Sequence, residues 1–142
     1  MRLLIGYGNT LRSDDGAGQK IANIVSEWNL PQWRSLSVHQ LTPELALDIA
    51  QADLVIFVDA TIQTELEIIK LAPTTDKLDK IGHSSHPNTL LSLSQTLYNH
   101  LPQAYWILIP GVNFGFGEEF SPVTEEGIKI ALKHIKILAE FR

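Results

Sequence analysis

The chain alternates between short apolar runs of strand length and segments whose apolar residues recur at helical spacing. The strand-like runs are residues 2–7, 33–41, 54–60 and 104–110, with an alternating, edge-type run at 65–71. The helix-like segments are residues 14–28, 43–51, 88–99 and 121–140. Because the central runs are apolar on both faces, they predict a mostly parallel, twisted sheet covered by helices on each side. The predicted fold is therefore a three-layer α/β/α sandwich with about five strands.

Two of the predicted helices begin with a capping residue followed by proline. Thr42 precedes Pro43, and Ser121 precedes Pro122. A Ser or Thr side chain can accept a hydrogen bond from the first helical N–H groups, and proline fits the first turn because that position has no N–H partner to lose. We therefore expect Thr42 and Ser121 to be N-caps.

Polar residues of the kinds that catalyse reactions or bind metals follow the ends of the predicted strands. Asp14 and Asp15 come after the first strand, Asp59 ends the apolar run LVIFVDA, and His83 and His86 precede a helix. In parallel α/β sheets, functional groups gather at the carboxyl edge, where strands end and helices begin. The sequence thus predicts a polar cluster at this edge.

Composition narrows the class of protein. The 142 residues suit a single domain spanning 1–142, and the lack of cysteine excludes disulfides, thiolate metal sites and cysteine catalysis. The net charge of −5 and the scattered basic residues make nucleic acid an unlikely partner. No signal peptide or membrane-length apolar segment is visible, so we expect a cytoplasmic protein with no membrane partner.

The glycine-rich segment GYGNTLRSDDGAG, residues 6–18, does not fit a nucleotide site. The dinucleotide pattern needs a third glycine where Leu11 stands, and no Gly-Lys-Ser/Thr follows. Two acids at a helix start would also repel phosphate, so no organic cofactor is predicted. The ordinary role of such acids is capping, and an adjacent pair allows one to cap while the other faces the cleft.

Taken singly, the other candidates also have ordinary interpretations. Asp59 can cap a loop, and either histidine of HSSHP (residues 83–87) can be a solvated surface residue. His39 is a further possible contributor, whereas His100 and His134 look structural. Carboxylates and imidazole together suit nickel, zinc, iron or manganese. Neither the serine-hydrolase elbow G-x-S-x-G nor the zinc motif H-E-x-x-H is present.

The ordered set of motifs resembles the endopeptidase family that matures nickel–iron hydrogenases. The resemblance spans nearly the entire chain. It rests on the blocks GYGNTLRSDDGAG (6–18), HQLTPELA (39–46), VIFVDA (55–60), GHSSHPNTLL (82–91) and FGFGEEFSP (114–122).

This resemblance implies an aspartic-type endopeptidase that trims the C-terminal extension of a hydrogenase large-subunit precursor after nickel insertion. The family's acid, acid, His set, which contacts nickel presented by the substrate, maps onto Asp15, Asp59 and His83. These three are thus both the catalytic and the metal-contacting candidates. A gap-free count from the helix pair Leu90-Leu91 gives His83, and a small loop shift would give His86. The family often has Glu at the first acid, so Asp15 is one methylene shorter.

Two other functions compete with this interpretation. A phospho-receiver domain also places an acid pair after its first strand and an Asp at the end of its third, and the interval here is 44 residues (59 − 15). A receiver, however, needs a lysine after its last strand, where this chain has IPG at 109–111. A nickel-binding maturation module without protease activity is the second competitor.

Overall fold

A computed structural model of the chain describes residues 1–73 and 86–140. Its strands are β1 (Arg2–Tyr7), β2 (Trp33–Val38), β3 (Leu54–Thr61), β4 (Glu67–Leu71) and β5 (Gln103–Pro110). Its α-helices are α1 (Ala17–Glu27), α2 (Leu45–Ala50), α3 (Pro87–Tyr98) and α4 (Pro122–Glu140), and a short 3-10 helix at Ser13–Gly16 precedes α1. None of the helices in these two ranges is long and apolar enough to span a membrane.

The strands form one sheet in the order β2-β1-β3-β5-β4. Strands β2, β1, β3 and β5 are parallel to one another. Strand β4 pairs antiparallel with β5 at the edge of the sheet. This arrangement confirms the predicted α/β class and the mostly parallel sheet. It also confirms that the alternating run at 65–71 forms an edge strand.

Helices cover the sheet on both sides because side chains alternate along each strand. Leu4, Ile56 and Ile109 pack with α1 and α4 in one buried cluster. Leu3 and Phe57 pack with α2 and α3 in a second cluster on the opposite face. The central strands are therefore buried on both sides, as their continuous apolar sequences predict.

Glycine allows α1 to lie directly against β1. A Cβ atom on Gly6 would collide with the backbone carbonyl oxygen of Gly18, and one on Gly18 would collide with the backbone of Tyr7 and Val58. The first and last glycines of the GYGNTLRSDDGAG segment are thus explained by backbone packing. This close approach holds the segment between them at the carboxyl edge of the sheet.

Three sequence predictions differ from the structure in detail. Thr42 is not an N-cap, because a turn with a hydrogen bond from the Leu45 N–H to the Thr42 carbonyl separates it from α2, which begins at Leu45. The strand predicted at 33–41 ends at Val38. The two acids lie in the 3-10 helix rather than in the first turn of α1. By contrast, Ser121 immediately precedes α4, as predicted.

We predict that Gly6→Ala destabilises the fold, because its methyl group meets the immobile backbone of α1 rather than a flexible side chain. Overpacking of this kind lowers the free energy of unfolding by about 1–3 kcal/mol. Gly115→Ala is the matched control, since a Cβ there meets only the Asn113 side chain, at 3.4 Å. Urea unfolding of both variants measures the difference. Equal unfolding midpoints would contradict the packing explanation.

Candidate active site

Asp14 is fully buried and joins the loop after β1 to the start of α4. Its carboxylate accepts hydrogen bonds from the backbone N–H groups of Val112 (2.9 Å), Asn113 (2.9 Å) and Ser121 (2.8 Å). The Ser121 hydroxyl donates a fourth, at 2.7 Å. Both carboxylate oxygens are therefore occupied by donors from the protein itself.

These hydrogen bonds stabilise the ionised form of Asp14. Burial alone would raise the pKa of this carboxyl group, but the three backbone N–H groups and the Ser121 hydroxyl outweigh burial and lower the pKa from 3.8 to about 2. Asp14 therefore does not cap its own helix, as the sequence suggested for one acid of the pair; it holds the loop after β5 and Ser121 instead. Ser121 precedes α4 as expected, with its hydroxyl directed to Asp14.

Asp15 is half-buried and is held by the loop that follows β1. One of its oxygens accepts a hydrogen bond from the Asn9 N–H at 2.8 Å. Gly8 makes this loop possible: its φ of +140° lies in a region that favours glycine, and a Cβ atom would collide with the Asp15 carbonyl oxygen. The glycine-rich segment therefore holds the Asp15 carboxylate in place.

Asp59 occupies the carboxyl end of β3 and is partly buried. Its Oδ1 atom accepts a hydrogen bond from the Ala60 N–H at 2.7 Å. Burial raises its pKa, the Ala60 N–H opposes that rise, and the negative charge of Asp15 adds to it, so that the pKa moves from 3.8 to about 6. Asp59 therefore changes between its protonated and ionised forms closer to neutral pH than an ordinary aspartate does.

The 3-10 helix that carries Asp15 contacts β3, which carries Asp59, and the negative charge of Asp15 raises the pKa of Asp59. Like charges in a partly desolvated site repel, and a cation between them would relieve that repulsion. Within residues 1–73 and 86–140, no group of three or more His, Asp or Glu side chains is arranged to hold a metal ion. The described part of the site is a pair of carboxylates.

The candidate histidines lie in different places. His83 falls at 74–85, outside the described residues. His86 is exposed just before α3, and its ring makes an edge contact with the Trp106 ring at a centroid distance of 5.1 Å. His39 is exposed, and its carbonyl accepts a hydrogen bond from the Gly8 N–H at 3.1 Å. His100 bonds the Ala52 carbonyl at 2.6 Å, in keeping with a structural role.

The sequence interpretation missed Tyr7, which lies beside Asp59, and Trp106, which lies beside Tyr7. The Tyr7 hydroxyl and the Trp106 indole N–H are buried, and neither has a hydrogen-bond partner among the described residues. Burial, and then the charge of Asp59, raise the pKa of Tyr7, so its hydroxyl stays protonated. Residue alternation places Tyr7 on the same face as Leu3 and Ile5, but sequence alone does not reveal which residues of the next strand stand beside it.

One cavity in the described structure lies at the opposite, amino edge of the sheet. Its volume is about 870 Å³, and its lining includes Ile68, Tyr105, His134 and Leu138. Neither Asp15 nor Asp59 contributes to it.

Comparison with solved structures places this geometry in a known fold. The model superposes on a [NiFe] hydrogenase maturation protease, HycI, from Thermococcus kodakarensis with a TM-score of 0.76 and 22% identity, covering 98% of this chain and 92% of that one. The chain has the fold of the hydrogenase maturation proteases. A hydrogenase 2 maturation peptidase from a Thaumarchaeota archaeon gives a TM-score of 0.71 at 19% identity, with 99% of each chain covered.

A third similar structure is the hydrogenase maturating endopeptidase HybD from E. coli, with a TM-score of 0.68, 19% identity, and 94% and 88% of the two chains covered. No family model and no curated protein sequence matches the chain. The maturation-protease fold also separates the chain from receivers, whose doubly wound sheet has the order 2-1-3-4-5. Here the outermost strand is the antiparallel β4, beyond β5.

We predict that Asp14→Asn lowers the free energy of unfolding by about 3 kcal/mol, because the amide group brings N–H donors toward the donors that now bond the carboxylate. Asp15→Asn, the neighbouring control, should cost less than about 1 kcal/mol. Urea unfolding near neutral pH tests both. The stabilisation by Asp14 should be present above pH 3.8 and lost as pH falls toward about 2. Equal stabilities of the two variants would contradict this role.

Asp59 should have the opposite effect on stability. Because its pKa rises from 3.8 to about 6 on folding, the folded state binds the proton more tightly, and stability falls as pH increases through this interval. We predict that Asp59→Asn gains stability over the wild type by about 2 kcal/mol between pH 4 and pH 7. Thermal or urea unfolding across this range measures the change. If the difference in stability between the variant and the wild type did not depend on pH, folding would not raise the pKa of Asp59.

Proposed function

We propose that this protein is an endopeptidase that removes the C-terminal extension from a [NiFe]-hydrogenase large-subunit precursor after nickel insertion. The observation that carries the proposal is the coupled pair Asp15 and Asp59 on a fold that matches maturation proteases over nearly the whole chain. The proposed partner is the precursor. The nickel belongs to the substrate, and no organic cofactor is proposed.

The electrostatics of the pair suit a site that reads a cation brought by its substrate. Two carboxylates share a partly buried edge, and Asp59 is difficult to ionise there because of burial and the nearby charge of Asp15. A divalent cation between them favours ionisation of Asp59 and is attracted by both groups. A precursor without nickel supplies no such charge, so the pair would discriminate between loaded and empty forms.

The third proposed ligand is the imidazole of His83, with His86 as the alternative. Imidazole is a common ligand for nickel, and three protein ligands leave coordination positions for the precursor's own groups. The position of His86 just before α3 supports keeping it as the alternative, because this helix begins at the carboxyl edge of the sheet. Its ring contact with Trp106 brings it to the face on which α3 packs.

Cleavage would follow from positioning of the scissile peptide beside the carboxylates. When the nickel and the scissile peptide are held in one geometry, hydrolysis becomes a reaction within a single complex and no longer depends on a chance encounter of the reacting groups. Two routes to hydrolysis remain. The metal can polarise the peptide carbonyl, or a carboxylate can activate water. The pKa of about 6 for Asp59 supports the second route, because a base of this strength accepts a proton near neutral pH.

The direct test incubates the purified protein with nickel-loaded and nickel-free large-subunit precursor and follows the mass of the precursor's C-terminal region. We expect trimming of the loaded form only. Asp15→Asn and Asp59→Asn should each slow trimming by at least about 100-fold, because each removes a charge that holds the cation. Failure of active, folded wild-type protein to trim the loaded precursor would refute the protease proposal.

The same assay separates the two histidines and the competing functions. His83→Ala should abolish trimming and His86→Ala should retain it, with the distant, exposed His134→Ala as the control. The reverse result would transfer the ligand role to His86. Nickel-dependent binding of the precursor without trimming would indicate a maturation module that is not a protease. Labelling of Asp59 by acetyl phosphate would indicate a receiver.

A further inference from the structure

We propose that Tyr7, supported by Trp106, is a positioning residue that holds the Asp59 carboxylate in the orientation used for peptide hydrolysis. The inference rests on the proposed endopeptidase function and adds two residues to its site. Neither belongs to the acid, acid, His set. Both are identified by their place in the sheet and by the state of their polar atoms.

Strand register brings the three side chains to one place. Gly6 of β1 pairs with Val58 of β3, so the next residues, Tyr7 and Asp59, stand side by side. On the other side of β3, Trp106 of β5 pairs with Phe57. Tyr7 and Phe57 are buried in the cluster under α2 and α3, with Trp106 packed against it, and Asp59, two residues after Phe57, lies on the same face.

The polar atoms of Tyr7 and Trp106 are buried without hydrogen-bond partners in the described part of the chain, which is unusual. Tyr7 is only 5% exposed, yet its hydroxyl, like the Trp106 indole nitrogen, has no partner at hydrogen-bonding geometry among the described residues. Buried polar groups are normally paired, because an unpaired group loses its hydrogen bonds to water without compensation. The Asp59 carboxyl group beside them is the acceptor that can complete the set.

Hydrogen-bond chemistry fixes the direction of such a relay. An indole N–H can only donate, an ionised carboxylate can only accept, and a phenol can do both. The indole of Trp106 therefore donates to the Tyr7 oxygen, and the Tyr7 hydroxyl donates to Asp59. A small rotation of these neighbouring groups closes the relay when Asp59 is ionised.

The relay would restrict the carboxylate from a second direction. The Ala60 N–H already holds Oδ1 at 2.7 Å, and a phenol donor on the same carboxylate limits its remaining rotation. A catalytic carboxylate positioned by supporting side chains reacts faster than one that rotates freely.

The kinetic test compares Tyr7→Phe with Tyr98→Phe in trimming of nickel-loaded precursor. Tyr98 is 45% exposed in α3, so its variant controls for loss of a phenol hydroxyl. We expect Tyr7→Phe to lower kcat by about 10- to 100-fold, with KM and the unfolding midpoint nearly unchanged, since orientation and not binding is lost. An unchanged kcat, or a loss confined to KM, would overturn the proposal.

A second pair of variants tests the supporting role of Trp106. Trp106→Phe removes the indole donor and should lower kcat in the same way as Tyr7→Phe. Trp33→Phe is a close control, because the Trp33 indole nitrogen is also buried without a partner but lies with the opposite cluster, under α1 and α4. Equal kcat values for the two tryptophan variants would remove Trp106 from the proposal.

A spectroscopic test does not require protease activity. The chain has three tyrosines, so protein labelled with carbon-13 at tyrosine Cζ gives three resonances, of which Tyr98 and Tyr105 are internal controls. Asp59→Asn should shift the Tyr7 resonance and leave the other two in place. An unmoved Tyr7 resonance would refute the contact. If wild-type protein fails to trim the precursor while this shift is observed, the proposed function fails and the Tyr7–Asp59 contact stands.

Discussion

The carboxylate of Asp14 fastens the two loops on which the candidate site depends. It accepts hydrogen bonds from Val112, Asn113 and Ser121, and so ties the 3-10 helix after β1 to the loop between β5 and α4. Asp15 is the next residue on that short helix, and its direction follows from this attachment. Two adjacent residues of the same type thus have different surroundings: Asp14 accepts four hydrogen bonds from the protein, whereas the Asp15 carboxylate accepts one from the Asn9 N–H.

Asp59 presents the opposite balance of forces. Its position at the end of a buried strand removes water, and the nearby Asp15 adds repulsion, while the Ala60 N–H compensates only in part. Ionised Asp59 therefore lowers the stability of the fold, and a group perturbed in this way is a candidate for a functional role.

Much of this arrangement could be predicted from the sequence because it depends on local patterns. The continuous apolar runs predict a parallel sheet. The positions of Asp15 and Asp59 after strand ends predict that both lie at its carboxyl edge. The roles of Tyr7 and Trp106 could not be predicted, because they depend on the register between strands far apart in sequence. The cap expected at Thr42 failed for a related reason: a turn at Pro43 and Glu44 delays α2, and local propensity does not determine where tertiary packing starts a helix.

The hydrogen bonding of Asp14 bears on the receiver alternative, with which the separation of Asp15 and Asp59 along the chain is compatible. A receiver would assign both members of the first acid pair to the functional site, but both oxygens of Asp14 are occupied by donors of the protein. It would also need the loop after the last parallel strand to carry a lysine. In this chain, that loop instead supplies the Val112 and Asn113 N–H groups that hold Asp14. The hydrogen bonds of Asp14 therefore count against the receiver alternative, and labelling with acetyl phosphate tests it directly.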